Sequence, residues 1–153
     1  MHTFQLLAPL MRALCFLQMI EEGLRLYVGT AEELIEAAVP YGVPFRVDRK
    51  RIQSASLGKL IDMFAKLNRN EPLIARLRRL PEHRNYIAHA AFMRALRAKT
   101  DKRIDIEYAK KHAKEVGDEA EQILGLVAQE MKALQHNHPD TKIGSLGGGA
   151  SDV

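Results

Sequence analysis

Arg84, Asn85 and His89 fall within one six-residue span and supply a cation, an amide and an imidazole. On an ideal helix Asn85 and His89, four apart, share a face. Arg84 stands about 140° around the axis from His89, so its long side chain has to curl to join them. Pro81 reads as the start of this helix, which puts Arg84 near an N-terminus, where a cation opposes the macrodipole. The placement turns favourable if an anion is held there, because N–H groups, guanidinium and amide then converge on it. An imidazole beside a phosphodiester titrates near neutrality and can move a proton. A base for a 2′-hydroxyl and a cation for the charge developing on phosphate are what metal-free RNA cleavage needs. Arg-x4-His also occurs at Arg78 and His83, but only Arg84 is followed by Asn. A purely structural alternative is that Arg84 and Asn85 cap the helix start and His89 is hydrogen-bonded in a packed interface.

Charge is distributed so as to bring an anion to this hexad. Residues 46–103 carry 16 Lys or Arg against 5 Asp or Glu, and the rest of the chain carries 7 against 14. A basic middle between acidic flanks gives a directed field, and an anionic polymer such as RNA is its natural partner. The same charges can also do no more than solvate exposed helix faces. Arg46, Arg49, Lys50 and Arg51 make residues 40–55, with Pro40, Gly42 and Pro44, a candidate phosphate-contacting flap. Arg76 and Arg79, with Arg78, occupy the outer positions of a later helix. No spacing typical of a helix-turn-helix DNA reader stands out.

Hydrophobic content of 46% and charged content of 27% over 153 residues describe one soluble globular domain. The single cysteine, Cys15, excludes an internal disulfide and a cysteine zinc cage, and its apolar surroundings predict a buried, inert thiol. No stretch approaches 18 uncharged apolar residues, so no membrane span is expected. Arg12 interrupts the N-terminal apolar run and no small-residue cleavage site follows, which argues against an export signal. A cytoplasmic location is the expectation. No motif calls for a cofactor, and no metal is expected; His136 and His138 alone make a poor metal site.

The elements that must position the hexad are helical. Residues 3–28 place Phe4, Leu7, Leu10 or Met11, Leu14, Leu17, Ile20 or Met19, Leu24 and Tyr27 at spacings of three and four, with Thr3 as N-cap and Pro9 as a kink or a late start. Glu21 and Glu22 lie at the polar edge of this helix; they read as solvated unless one reaches into the site. Thr30 to Glu33 form a capping-box pattern, so either a new helix starts there or one long helix passes through Gly29. Residues 40–55 form the longest irregular stretch, with a short extended piece at Val43, Phe45 and Val47. Ser54 or Ser56 caps a helix with Leu57, Leu60, Ile61, Phe64 and Leu67 on one face, and Pro72 opens a short one with Leu73, Ile74, Leu77 and Leu80. Ile87, Ala88, Ala91, Phe92 and Leu96 form the packed set after Pro81. Asp101 to Asp105 is a charged break, and Ile106 to Leu134 a long helix that lines the core, a dimer seam or both. Residues 1–135 thus form one helical domain, and the glycine-rich residues 136–153 a flexible tail.

Arg84-Asn85-x3-His89, with Ala88 before the histidine and a long helix to follow, resembles the Arg-x(4–6)-His motif of the HEPN superfamily. The likeness is specific over about ten residues; elsewhere it rests on helix order and hydrophobic pattern. It implies an all-α, antiparallel four-to-five-helix bundle, usually a homodimer whose two motifs meet in a composite site. It also implies a metal-independent endoribonuclease, often a toxin or phage-defence effector, with RNA as substrate and an antitoxin or regulatory protein as further partner. On the matching positions His89 would be the acid or base, Arg84 the phosphate clamp and Asn85 a positioning group. Ala91 stands where some members carry a modifiable tyrosine. The alternative within the resemblance is a non-catalytic helical module that binds protein or nucleic acid.

Overall fold

The computed structural model describes residues 2–91, 93 and 106–137, and among them there is no strand. Two long helices form the frame: α1 (His2–Ala38) and, after four shorter α-helices among the described residues, α6 (Ile106–His136). At 1.5 Å per residue they span roughly 55 Å and 46 Å. Between them come α2 (Arg49–Ser54), α3 (Leu57–Leu67), α4 (Glu71–Leu77) and α5 (Leu80–Asn85), the last continuing into a π-helical segment, Tyr86–Ala91. The all-α bundle expected from the periodicity is what the chain forms.

The core follows from the spacing of small and large apolar residues. Leu6, Leu10, Ala13, Leu17, Ile20 and Leu24 of α1 meet Ala109, Ala113, Val116, Ala120, Ile123 and Val127 of α6, all buried. Alanine on α6 against leucine on α1 lets the two axes approach closely. Gly117 completes the approach, since a Cβ there would lie 3.8 Å from the Ala13 Cα and 2.8 Å from Arg12 Nη1. The same construction at Gly23 meets Val127 Cγ1 at 3.4 Å. Ala13 beside Gly117 and Gly23 beside Val127 mean that the two long helices run in the same direction. Short connections enforce antiparallel neighbours; here the chain between α1 and α6 is long enough to return across the bundle first. The stripe of α6 therefore faces the domain core.

Leu57, Leu60, Ile61 and Phe64 of α3 are buried as their spacing predicts, with the Phe64 and Tyr27 rings edge to face at 4.8 Å. Asn70 caps α4 by accepting from Leu73 N at 3.2 Å, with Pro72 in the first turn. Its amide also donates to Glu130 at 2.7 Å, while Asn68 donates to the other Glu130 oxygen at 3.0 Å and to Tyr27 Oη at 2.9 Å. These bonds tie the α3–α4 turn to both long helices.

Several sequence expectations need correction. The choice left open at Gly29 falls to the single long helix: α1 runs on to Ala38, because Tyr27, Val28, Thr30 and Ala31 are all buried against the bundle. A glycine costs about 1 kcal/mol in a helix interior, less than the burial around it returns. The irregular stretch over 40–55 is shorter than expected: α2 forms within it, capped by Asp48 accepting from Arg51 N at 3.0 Å. Ser56 takes the N-cap position of α3 without a side-chain capping bond, and Ser54 instead donates to Lys50 O. Cys15 is exposed, and Leu7, expected in the packed stripe, is 39% exposed. Both errors have one origin: α1 carries apolar residues around most of its circumference, so spacing alone does not say which arc turns inward. The charged break at 101–105 and all but the first two residues of the predicted tail lie outside the described residues.

Candidate functional site

The π-helical segment decides the geometry of the hexad. Ile87, wholly buried, anchors it to the core. A π turn bonds residue i to i+5, so each residue advances less around the axis than in an α-helix. The α-helical spacing expected from Asn85 to His89 is thus replaced, over Tyr86–Ala91, by the wider π turn. Arg84 also lies in the last turn of α5, beyond the N–H groups of its first turn. Neither Arg84 nor Asn85 caps the helix start, and Arg79 stands at the N-cap without a side-chain bond.

Arg84 is held from α1. Its Nε lies 3.0 Å from Glu21 Oε1; the Glu21 side chain is 8% exposed and that of Arg84 45%. Glu21 is thus not the solvated edge residue its position suggested. Arg25, one turn further along α1, places Nη2 3.8 Å from Glu21 Oε2 and donates from the same nitrogen to Ala55 O at 3.1 Å. Arg25 Nη1 lies 2.6 Å from Glu22 Oε1, and Arg25 Nε is buried without a hydrogen-bond partner. Glu22 is exposed and also accepts from Gln18. Asn85 and His89 are both exposed and neither bonds to another described residue.

The opposite face of the same segment packs on α6. Tyr86 meets His112 edge to face at 4.5 Å, His83 lies 5.9 Å from His112, and Tyr108 is parallel to it at 6.3 Å. Burial holds the His112 pKa below its ordinary value, the facing His83 charge pushes the same way, and Glu115 opposes both. Tyr108 and His112, four apart on α6, formed no recognisable motif. Only the packing of Tyr86 brings them beside the hexad.

The predicted RNA-binding residues divide into two groups. Arg49 lies 2.8 Å from Glu33, and Arg51 3.2 Å from Glu32, so α2 is strapped to α1 by ion pairs. Arg46 and Lys50 are exposed and in no ion pair among the described residues. Glu21, Arg25 and Glu32 recur at spacings of four and seven, so α2 sits along the α1 flank that holds Arg84, roughly 16 Å further on. Arg76 and Arg79 lie elsewhere, beside α6. Arg76 makes a two-pronged contact with Glu119 at 2.8 and 2.7 Å and donates to Gln122 at 2.9 Å. That contact raises the Arg76 pKa and lowers the Glu119 pKa. Arg79 is exposed, and its charge also lowers the Glu119 pKa. Arg78 pairs with Asp62 at 2.8 Å.

Among the described residues no group of three or more His, Cys, Asp or Glu is placed to hold a metal ion, and no helix is long and apolar enough to cross a membrane. No family model, curated protein or solved structure matches this chain, so the functional reading rests on its own residues.

Proposed function

We propose that this chain is a metal-independent endoribonuclease of HEPN type, with Arg84, Asn85 and His89 as its catalytic set. The observation that carries this reading is the contrast within one segment: Arg84 is paired with a buried carboxylate, while His89 is exposed and its side chain bonds to none of the described residues. A histidine with a structural role would be packed and bonded; this one faces solvent. In the proposed reaction His89 takes the proton of a 2′-hydroxyl, whose oxygen attacks the adjacent phosphorus. The P–O5′ bond breaks, leaving a 2′,3′-cyclic phosphate and a 5′-hydroxyl. Arg84 offsets the charge that develops on the phosphate oxygens, and Asn85 orients the phosphate. Arg46 and Lys50 on the same flank would hold neighbouring phosphates.

One imidazole cannot at once accept the 2′ proton and donate to the leaving oxygen, so the reading calls for a second acid. A homodimer would supply it as a second His89. The outward face of α1 supports an assembly: Met11, Met19 and Leu26 are 54%, 47% and 53% exposed, and Cys15 lies on the same face. A long helix apolar on both sides is normally covered on both. That face also supports the second reading, a non-catalytic module that binds a partner protein through it. A toxin or defence role, with a neutralising protein as partner, belongs to the first reading and rests on the motif resemblance.

The test is cleavage of a labelled panel of structured RNAs in EDTA by wild type and His89→Ala. Chelator-resistant cleavage with cyclic-phosphate ends, lost in the variant, supports the nuclease. Two folded proteins that both leave the RNA intact favour the binding module.

A further inference from the structure

An arginine that is to receive a phosphate must be kept from pairing through its two terminal nitrogens. The side-on contact at Arg84 does this. Glu21 Oε1 stands 3.0 Å from Nε, the nitrogen nearest the aliphatic stem, as an ion pair, and the Arg84 side chain is 45% exposed. The carboxylate sits in a place where it cannot wander, 8% exposed and on the central helix of the bundle. Its second oxygen faces Arg25, which is itself anchored by Glu22 and the Ala55 carbonyl. Three points on α1 and the α2–α3 junction thus converge on the orientation of one guanidinium.

We propose that Glu21 is a positioning residue for Arg84: it grips the guanidinium by its Nε edge and aims the two terminal amino groups at a substrate phosphate. Arg25 stands against the other Glu21 oxygen and offsets part of its charge. This rests on the nuclease reading for its substrate, but the clamp itself is a property of the free protein. It differs from simple neutralisation of a buried acid. If Arg84 only served to balance Glu21, removing the carboxylate would free the arginine and leave its encounter with RNA intact.

The experiment compares full-length wild type, Glu21→Gln, Glu21→Ala and Glu22→Ala in two readouts. The first is the Arg84 Nε–H resonance, assigned by its loss in Arg84→Lys, with its rate of exchange with solvent. The second is kcat and KM for a labelled RNA in EDTA, with thermal melting to show that each variant is folded. Displacing a positioning contact costs roughly 100-fold in rate, so Glu21→Ala is expected to lose about that factor in kcat while KM moves by less than about threefold. Glu21→Gln, which keeps the shape of the side chain but not its charge, is expected to fall between wild type and Glu21→Ala in both readouts. Glu22→Ala, which removes a carboxylate from the same helix without removing the Arg84 contact, is expected to lose clearly less than Glu21→Ala in both. An Arg84 signal unchanged in Glu21→Ala overturns the clamp, as does an equal loss of kcat in Glu22→Ala. If wild type cleaves no RNA, the nuclease reading fails and the Arg84 signal alone decides the clamp.

Discussion

Arg84 Nε faces Glu21 Oε1 at 3.0 Å, joining the segment that carries the candidate chemistry to the middle of the longest helix. Lysine at position 84 has one point charge on a flexible stem and cannot both meet Glu21 side-on and present two outward donors. Arg84→Lys is therefore expected to keep the fold and the net charge but to lose cleavage by roughly 100-fold. Melting temperature and initial rate, measured on the same preparation, check both halves of that expectation.

Ile87 ties the π-helical segment to the core and is wholly buried. Ile87→Ala should lower stability by about 2–5 kcal/mol, the usual cost of truncating a large core side chain. It should also release the segment that orients His89, so activity at a temperature where the variant is still folded falls further than stability explains. Urea unfolding followed by circular dichroism, beside cleavage assays well below the midpoint, separates the two effects.

His112 titrates below its ordinary value because it is partly buried and faces His83. Tyr86, Tyr108 and Glu115 are its other neighbours. A depressed histidine pKa means that the unfolded chain binds the extra proton more readily. The stability contributed by the neutral ring is thus present above the ordinary value of 6.5 and is lost as pH falls below it. The melting temperature should drop between pH 7.5 and 5.5, and His112→Gln should flatten that slope. A variant with the same slope as wild type would assign the pH dependence to other groups.

The basic residues separate by whether their charge is already matched. Arg46 and Lys50 lie in no ion pair among the described residues, whereas Arg76 is held by Glu119 through two nitrogens. Replacing both Arg46 and Lys50 by Ala should weaken RNA binding and reduce the salt slope of log K by about 1.4, the single-strand value for two phosphates. Arg76→Ala should instead cost about 1 kcal/mol of stability and change the salt slope little. Binding isotherms at three salt concentrations and a denaturation curve settle the assignment.

The outward arc of α1 predicts an assembly. Met11→Glu and Leu26→Glu place charge on exposed positions, so neither is expected to unfold the chain. Sedimentation should show a dimer for wild type and a monomer for the double variant, with cleavage lost in parallel. A monomeric wild type would remove the second His89 from the proposed reaction.

Much of this architecture was written in local spacing. The apolar positions of α3, α4 and α6 emerged as the buried sets their periods predicted, because a helix with one apolar arc has only one way to turn. Asn70 and Pro72 announced the start of α4 for equally local reasons: an amide that caps and a ring that fits the first turn. Arg84, Asn85 and His89 were legible as a set because reactive residue types stood together. What the sequence left open were relations that local spacing does not contain. α1 is apolar around most of its girth, so only its partners decided that Leu6, Leu10 and Ile20 turn inward and Met11, Cys15 and Met19 outward. Glu21 looked like any edge carboxylate until Arg84 arrived from across the bundle. The π turn over Tyr86–Ala91, which no residue type announces, is the segment that carries His89. Helical period and capping chemistry act between neighbours in the chain; burial, ion pairing and helix register depend on what packs from elsewhere, and those decided the site.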